Sequence, residues 1–193
     1  MPDAMLPPFD RSHDNPPGWH YNPSSWPARV PIAIVAFFAG VAALHLALYQ
    51  FGVTRSVWDP VFGSMGSRRV LFSPISALFH SRDAVLGAVA YFAESITSLI
   101  GGTRRYERMP WMVFLFGCTC MPFTFVALTL LFAMPAIVHS WCFLCIVASA
   151  LSAVLTPFAW DEIWAAVLAI RRMRRRGASF WAAFSGRAAR GAH

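Results

Sequence analysis

Lysine is absent from this 193-residue chain, and all sixteen basic residues are arginine. Charge of either sign is sparse, at 13% of residues, where soluble domains carry roughly a quarter. That scarcity excludes an ordinary soluble domain. The apolar residues, 57% of the chain, also come in long blocks rather than short alternating runs, which identifies lipid as the solvent. Cysteine is scarce too: Cys118, Cys120, Cys142 and Cys145 are the whole set. They are too few, and too deep in apolar sequence, for a disulfide-stapled secreted domain. No signal-peptide pattern is read, since the first apolar block begins near Val30 and is long enough to span. The net charge of +7 does not point to nucleic acid. Seven arginines lie between Arg171 and Arg190, beside apolar sequence, where positive charge is a topology signal first.

What is present reads as an all-α, transmembrane four-helix bundle. Residues 1–29 hold seven prolines and form the expected disordered cytoplasmic lead, with Trp26 at the interface. Residues 30–160 form the membrane domain. Its first span is Val30 to about Phe51, 22 residues or ~33 Å of helix. A long outer segment follows, Gly52 to Asp83, in which Val70 to Phe79 is the expected short interfacial or re-entrant helix. The second span, Ala84 to about Ile100, is shorter and contains Glu94. The third opens on Pro110 and runs to about Met134, with Pro122 as a candidate kink and Pro135 as its stop. The fourth runs from about His139 to Trp160. Residues 161–193 form a basic cytoplasmic tail with a partly helical apolar stripe. Two readings stay open for it, a topology anchor and an amphipathic helix on the anionic inner surface.

Arginine counts set the orientation. With both termini cytoplasmic, twelve arginines lie inside and four lie outside: Arg55, Arg68, Arg69 and Arg82. The expected location is the inner (cytoplasmic) membrane, with Cys142 and Cys145 near the oxidising outer face.

Those two cysteines carry the chemistry. Three apart on a helix, they share a face, so their sulfurs can meet. Cys142 falls in the first helical turn, where unpaired N–H groups stabilise a thiolate. Such a thiolate is an available nucleophile and a good leaving group in thiol–disulfide exchange. Aromatic and aliphatic neighbours make the surroundings greasy, so a lipid-soluble quinone is the natural electron partner. The competing reading is that cysteine serves as a small hydrophobe in apolar helices. No metal is expected, because a soft site needs two further ligands and only His139 is close. Cys118 and Cys120, two apart, point to different faces and read as packing residues. His139 is either solvated or an acid–base partner of Cys142. Glu94 either finds a partner or snorkels. His45 either lines the same cavity or satisfies a backbone carbonyl.

The chain from about residue 30 to 160 resembles the vitamin K epoxide reductase family. The resemblance rests on the four-helix core, the long outer loop and the Cys142-Phe143-Leu144-Cys145 motif opening the last core helix. Two further stretches support it, Trp58-Asp59-Pro60-Val61-Phe62-Gly63-Ser64 and the helix start at Asp83-Ala84-Val85-Leu86-Gly87. The resemblance implies a thiol–disulfide cycle linked to a quinone of ubiquinone or menaquinone type. Cys145 would be nearest the quinone, and Cys142 would exchange with a shuttle pair on the loop. Phe62, Ser64, Asp83 and Trp141 are the candidate quinone-binding residues. One departure stands out: residues 52–82 contain no cysteine, and Trp58 occupies a shuttle position. The expected donor is therefore an external thioredoxin-like thiol protein on the outer side, with membrane lipid as the other partner. The alternative is a non-catalytic membrane protein of the same fold, with a structural Cys142–Cys145 bond, that binds a partner or lipid.

Overall fold

The computed structural model describes residues 15–16, 19–74, 76 and 83–190. Among them there is no strand. The helices in order are α1 (Trp26–Gln50), α2 (Gly63–Leu71), α3 (Asp83–Leu99), α4 (Arg105–Arg108), α5 (Pro110–Ala133), α6 (Phe143–Arg175), α7 (Phe180–Phe184) and α8 (Arg187–Arg190). A π-turn, Met134–Val138, continues α5.

Three helical segments are long and apolar enough to cross a membrane: α1, α5 with its π-turn, and α6. The fourth member of the bundle, α3, has 17 residues, or ~25 Å, and is the shortest. It packs on α1 through small side chains, with Ala39 and Ala43 facing Ala88 and Tyr91. Small residues suit a bundle in lipid, where close packing rather than water exclusion holds helices together. Between α5 and α6 the close approach falls at Gly117, where a Cβ would lie 2.3 Å from Ile163.

Four sequence expectations shift. The fourth helix begins four residues late, at Phe143, because His139 takes a left-handed conformation (φ 52°) and Cys142 becomes the N-cap. It then runs past Trp160 to Arg175 without a break. Glu162 is 2% exposed and ion-paired with Arg105, while Ala165, Ala166 and Ala169 pack on Tyr106 and Val113. Pro135 does not stop the third helix, since the π-turn carries it to Val138. The short loop helix lies at 63–71 rather than 70–79, with Val70 and Leu71 in its buried last turn. In the rest of that expected helix, residues 72–74 and 76 form turns and bends, and residues 75 and 77–79 lie outside the described residues.

The two ends of the bundle are built differently. At one end two arginines are inside: Arg29 is 0% and Arg105 1% exposed. They donate to the carbonyls that close α3. Arg29 reaches Ser98 (2.6 Å), Ile100 (2.7 Å) and Gly101 (2.9 Å), and Arg105 reaches Thr97 (2.7 Å) and Ile100 (3.1 Å). The last turn of a helix leaves its carbonyls without partners, and guanidinium groups are well suited to them. Arg105 also holds Glu162 with two nitrogens, and the Ser24 hydroxyl donates to the same carboxylate. Tyr21 donates to Asp161, and Asn22 donates to the Thr103 carbonyl at 2.9 Å. Residues 21–24 of the Pro-rich lead thus pack on the bundle. Cys142 and Cys145 lie at the other end.

Candidate functional site

Cys142 and Cys145 are disulfide-bonded, with Cα atoms 5.3 Å apart. Cys142 is extended (φ −130°, ψ 113°), and its sulfur accepts the Cys145 N–H at 3.3 Å. It caps α6 as a serine would, although it lies just before the first turn rather than in it. The two sulfurs belong to different surroundings. Cys142 is 0% exposed, packed with Val57, Val70 and Leu71 beneath the loop. Cys145 is half-buried and lines a cavity of about 280 Å³.

That cavity is apolar along most of its wall, with Leu46, Phe123, Val126 and Leu130 among its lining residues. Its polar groups include Asp83 and Ser76 at one end and Tyr91 further along α3. The Ser76 hydroxyl donates to the Asp83 carboxylate at 2.6 Å, and the Gln50 amide donates to the same oxygen at 2.9 Å. Gln50 also donates to the Leu71 carbonyl at 2.9 Å, while its own Oε1 is buried without a partner among the described residues. An apolar slot with a few converging polar groups is the usual form of a small-molecule site. The Tyr91 hydroxyl is bonded to Ser152 (2.6 Å) and so ties α3 to α6.

The expected site residues divide. Asp83 shares the cavity with Cys145. Phe62 and Trp141 stack on each other, centroids 6.1 Å apart, exposed and outside the cavity. Ser64 is exposed on α2 and also lies outside the cavity lining. His139 is exposed. His45 does neither of the two things expected of it, for its Nε2 accepts the Trp58 backbone N–H at 3.4 Å. Glu94 does not snorkel, being 2% exposed on the buried face of α3 with Tyr91, Ser95 and Ser98. Cys120 packs with Phe116 and Leu155, whereas Cys118 is exposed, so only the former fills a packing role.

Sequence reasoning missed Asp59. One of its oxygens accepts the Phe62 N–H (2.7 Å) and the Val61 N–H (3.1 Å). The other accepts the Ser67 hydroxyl (2.6 Å) and the Phe143 N–H (3.1 Å). One carboxylate thus joins the loop, α2 and the first residue of α6. Burial alone would raise its pKa, but these donors outweigh it and hold the carboxyl below its ordinary value. Around it Trp58 meets Phe143 edge-on at 6.0 Å, and Gly66 lies so close to the Trp141 carbonyl that a Cβ would stand 2.8 Å from it.

A membrane helix bundle with a bonded Cys-x-x-Cys pair at one helix start, one sulfur on an apolar cavity, defines a membrane thiol–disulfide protein. The model of the vitamin K epoxide reductase family matches residues 30–160, about two thirds of the chain, and the protein belongs to that family of membrane thiol–disulfide oxidoreductases. No curated protein and no solved structure matches it.

Proposed function

We propose that the protein passes electrons from an external dithiol, through Cys142 and Cys145, to a quinone. The observation that carries this reading is the placement of Cys145 on an apolar cavity wall, with Asp83 and Ser76 at the same cavity. The cavity's apolar wall and few polar groups suit an apolar ring bearing two oxygens. Cys145, Asp83, Ser76 and Tyr91 would hold it, and Gln50 is bonded to that Asp83. A quinone bound there would supply the acceptor for the two electrons and two protons that the cysteine pair gives up as it returns to disulfide. Cys142 lies on the loop side and takes up the donor's electrons by exchange. The arginine counts orient the cysteine end outward and both termini toward the cytoplasm. A thioredoxin-like protein is the donor this orientation admits, since no loop cysteine exists to relay electrons.

The test is quinone reduction by the purified protein with a small dithiol as donor, followed by absorbance. Wild type is expected to turn over, and Cys145→Ala to lose at least a hundredfold. Unchanged turnover in that variant would remove Cys145 from the path. The full burial of Cys142 favours a second reading, a structural disulfide in a non-catalytic member of the family. A pair that no dithiol reduces, in protein that remains folded, would establish it.

A further inference from the structure

Cys142 is the sulfur that a donor must reach, yet it is fully buried, packed with Val57, Val70 and Leu71 on the loop side and with Leu46 and Ala47 of α1. The loop meets α6 through Asp59, whose carboxylate occupies the Phe143 N–H, one peptide unit from Cys142, and through Trp58, packed on Phe143. The Cys142 sulfur accepts the Cys145 N–H in this same first turn, whose N–H groups and dipole stabilise a thiolate. A docked Asp59 adds a negative charge to that helix start and weakens the stabilisation, since like charges disfavour each other.

We propose that Asp59 is a positioning residue that couples the loop to the chemistry of Cys142: docked, it shields the sulfur and disfavours its thiolate, and displaced, it frees the helix start to stabilise it. The proposal rests on the reading of Cys142–Cys145 as an exchanging pair. During exchange a donor sulfur bonds Cys142 and releases Cys145. The donor's second sulfur then forms the donor disulfide and breaks the mixed bond, whose electron pair goes to Cys142. The donor dithiol is oxidised, the pair is reduced, and each released sulfur takes a proton from the donor thiols. A Cys142 thiolate is therefore formed in the second step, and its stability governs how readily that step proceeds. A donor that lifts the loop removes Asp59 at the moment the thiolate must form.

Among the described residues, the other charged groups and histidines at this end do not duplicate the effect. His45 is engaged by Trp58, and Asp83 by Gln50 and Ser76. Arg55, Arg68, Arg69 and His139 are exposed, where solvent screens them. Tyr49 stands edge-on to Phe72.

The experiment is alkylation of the dithiothreitol-reduced full-length protein in detergent. Iodoacetamide labelling at Cys142 is read by mass spectrometry as a function of pH. The plateau rate reports how well the loop shields the sulfur, and the pH midpoint reports the thiolate. Asp59→Asn is expected to raise the plateau rate and lower the midpoint by about one unit, tenfold in acidity. Asp59→Glu, which keeps the charge, is expected to stay near the wild-type midpoint. Asp59→Ser retains an oxygen for the Val61 and Phe62 N–H groups and gives the same answer should the asparagine variant not fold. Ser67→Ala loosens the clasp without removing the charge, so it raises the rate and lowers the midpoint by less than Asp59→Asn does. A faster rate with an unshifted midpoint in both neutral Asp59 variants would overturn the proposal and leave Asp59 as a simple latch. A pair that stays bonded in dithiothreitol, with no labelling of Cys142 in any variant, would instead remove the exchange reading, and this proposal with it.

Discussion

The two ends of the bundle solve the same problem with opposite charges. At the arginine end, Arg29 and Arg105 donate to the closing carbonyls of α3, and both are buried. At the cysteine end, Asp59 accepts from the N–H groups that open α6 and the loop turn, and it is only partly buried. Each charge complements the helix terminus it meets. The difference lies in redundancy. Two arginines and Glu162 hold the first end through a buried ion pair and many bonds, whereas the loop bonds to α6 through one partly buried carboxylate, with Gln50 holding the last residue of α2. A buried, multiply bonded end is expected to stay shut. A singly clasped end opens at low cost, as access to a buried sulfur requires.

That contrast is broken most severely at the arginine end. Arg105→Ala leaves Glu162 as a buried, uncompensated charge and is expected to cost about 3–5 kcal/mol, read by denaturant unfolding in detergent. Replacing both partners, Arg105→Met with Glu162→Leu, is expected to recover much of that loss. Arg29→Ala strips the carbonyls of Ser98, Ile100 and Gly101 of a charged donor, with an expected cost of about 2 kcal/mol by the same assay. At the cysteine end, Gly66→Ala drives a methyl into the Trp141 carbonyl and lifts α2. The expected cost is about 1–2 kcal/mol, and faster labelling of Cys142 accompanies it.

The smallest effect is that of pH on the loop. Asp59 is held below the ordinary carboxylate value of about 3.9. A depressed folded-state pKa contributes stability that is present above the unfolded value and is lost as pH falls through the folded one. Hydrogen exchange across residues 59–67, corrected for intrinsic rates, is therefore expected to show constant protection from neutral pH to about 4 and a loss below it. Protection that falls away between pH 6 and 5 would show that Asp59 is not the clasp.

Much of the bundle is legible in the sequence, because lipid demands long apolar runs and proline opens α5 at Pro110. The cysteine pair is equally legible, since its spacing is local. The extent of α6 is not: Asp161 and Glu162 read as an exit from the membrane, and only the fold supplies the Arg105 that keeps Glu162 inside. Arg29 and Arg105 count correctly as positive charges, yet their burial depends on the shortness of α3 and on the loop that follows it. Asp59 carried half a signal, an acidic turn residue two and three positions before the N–H groups it caps. Its other partner, Phe143, is 84 positions away. The Gln50–Ser76–Asp83 cluster is hidden for the same reason, being assembled from three separate segments.

Redox cycling at Cys142 and Cys145 is tested most directly in the native membrane. Thiol trapping of the full-length protein reads the fraction of the pair that is bonded while the quinone pool is driven oxidised and then reduced. Electron transfer to a quinone predicts both states of the pair, with the dithiol accumulating when the pool is reduced. A pair that stays fully bonded under both conditions would contradict it and leave a structural disulfide.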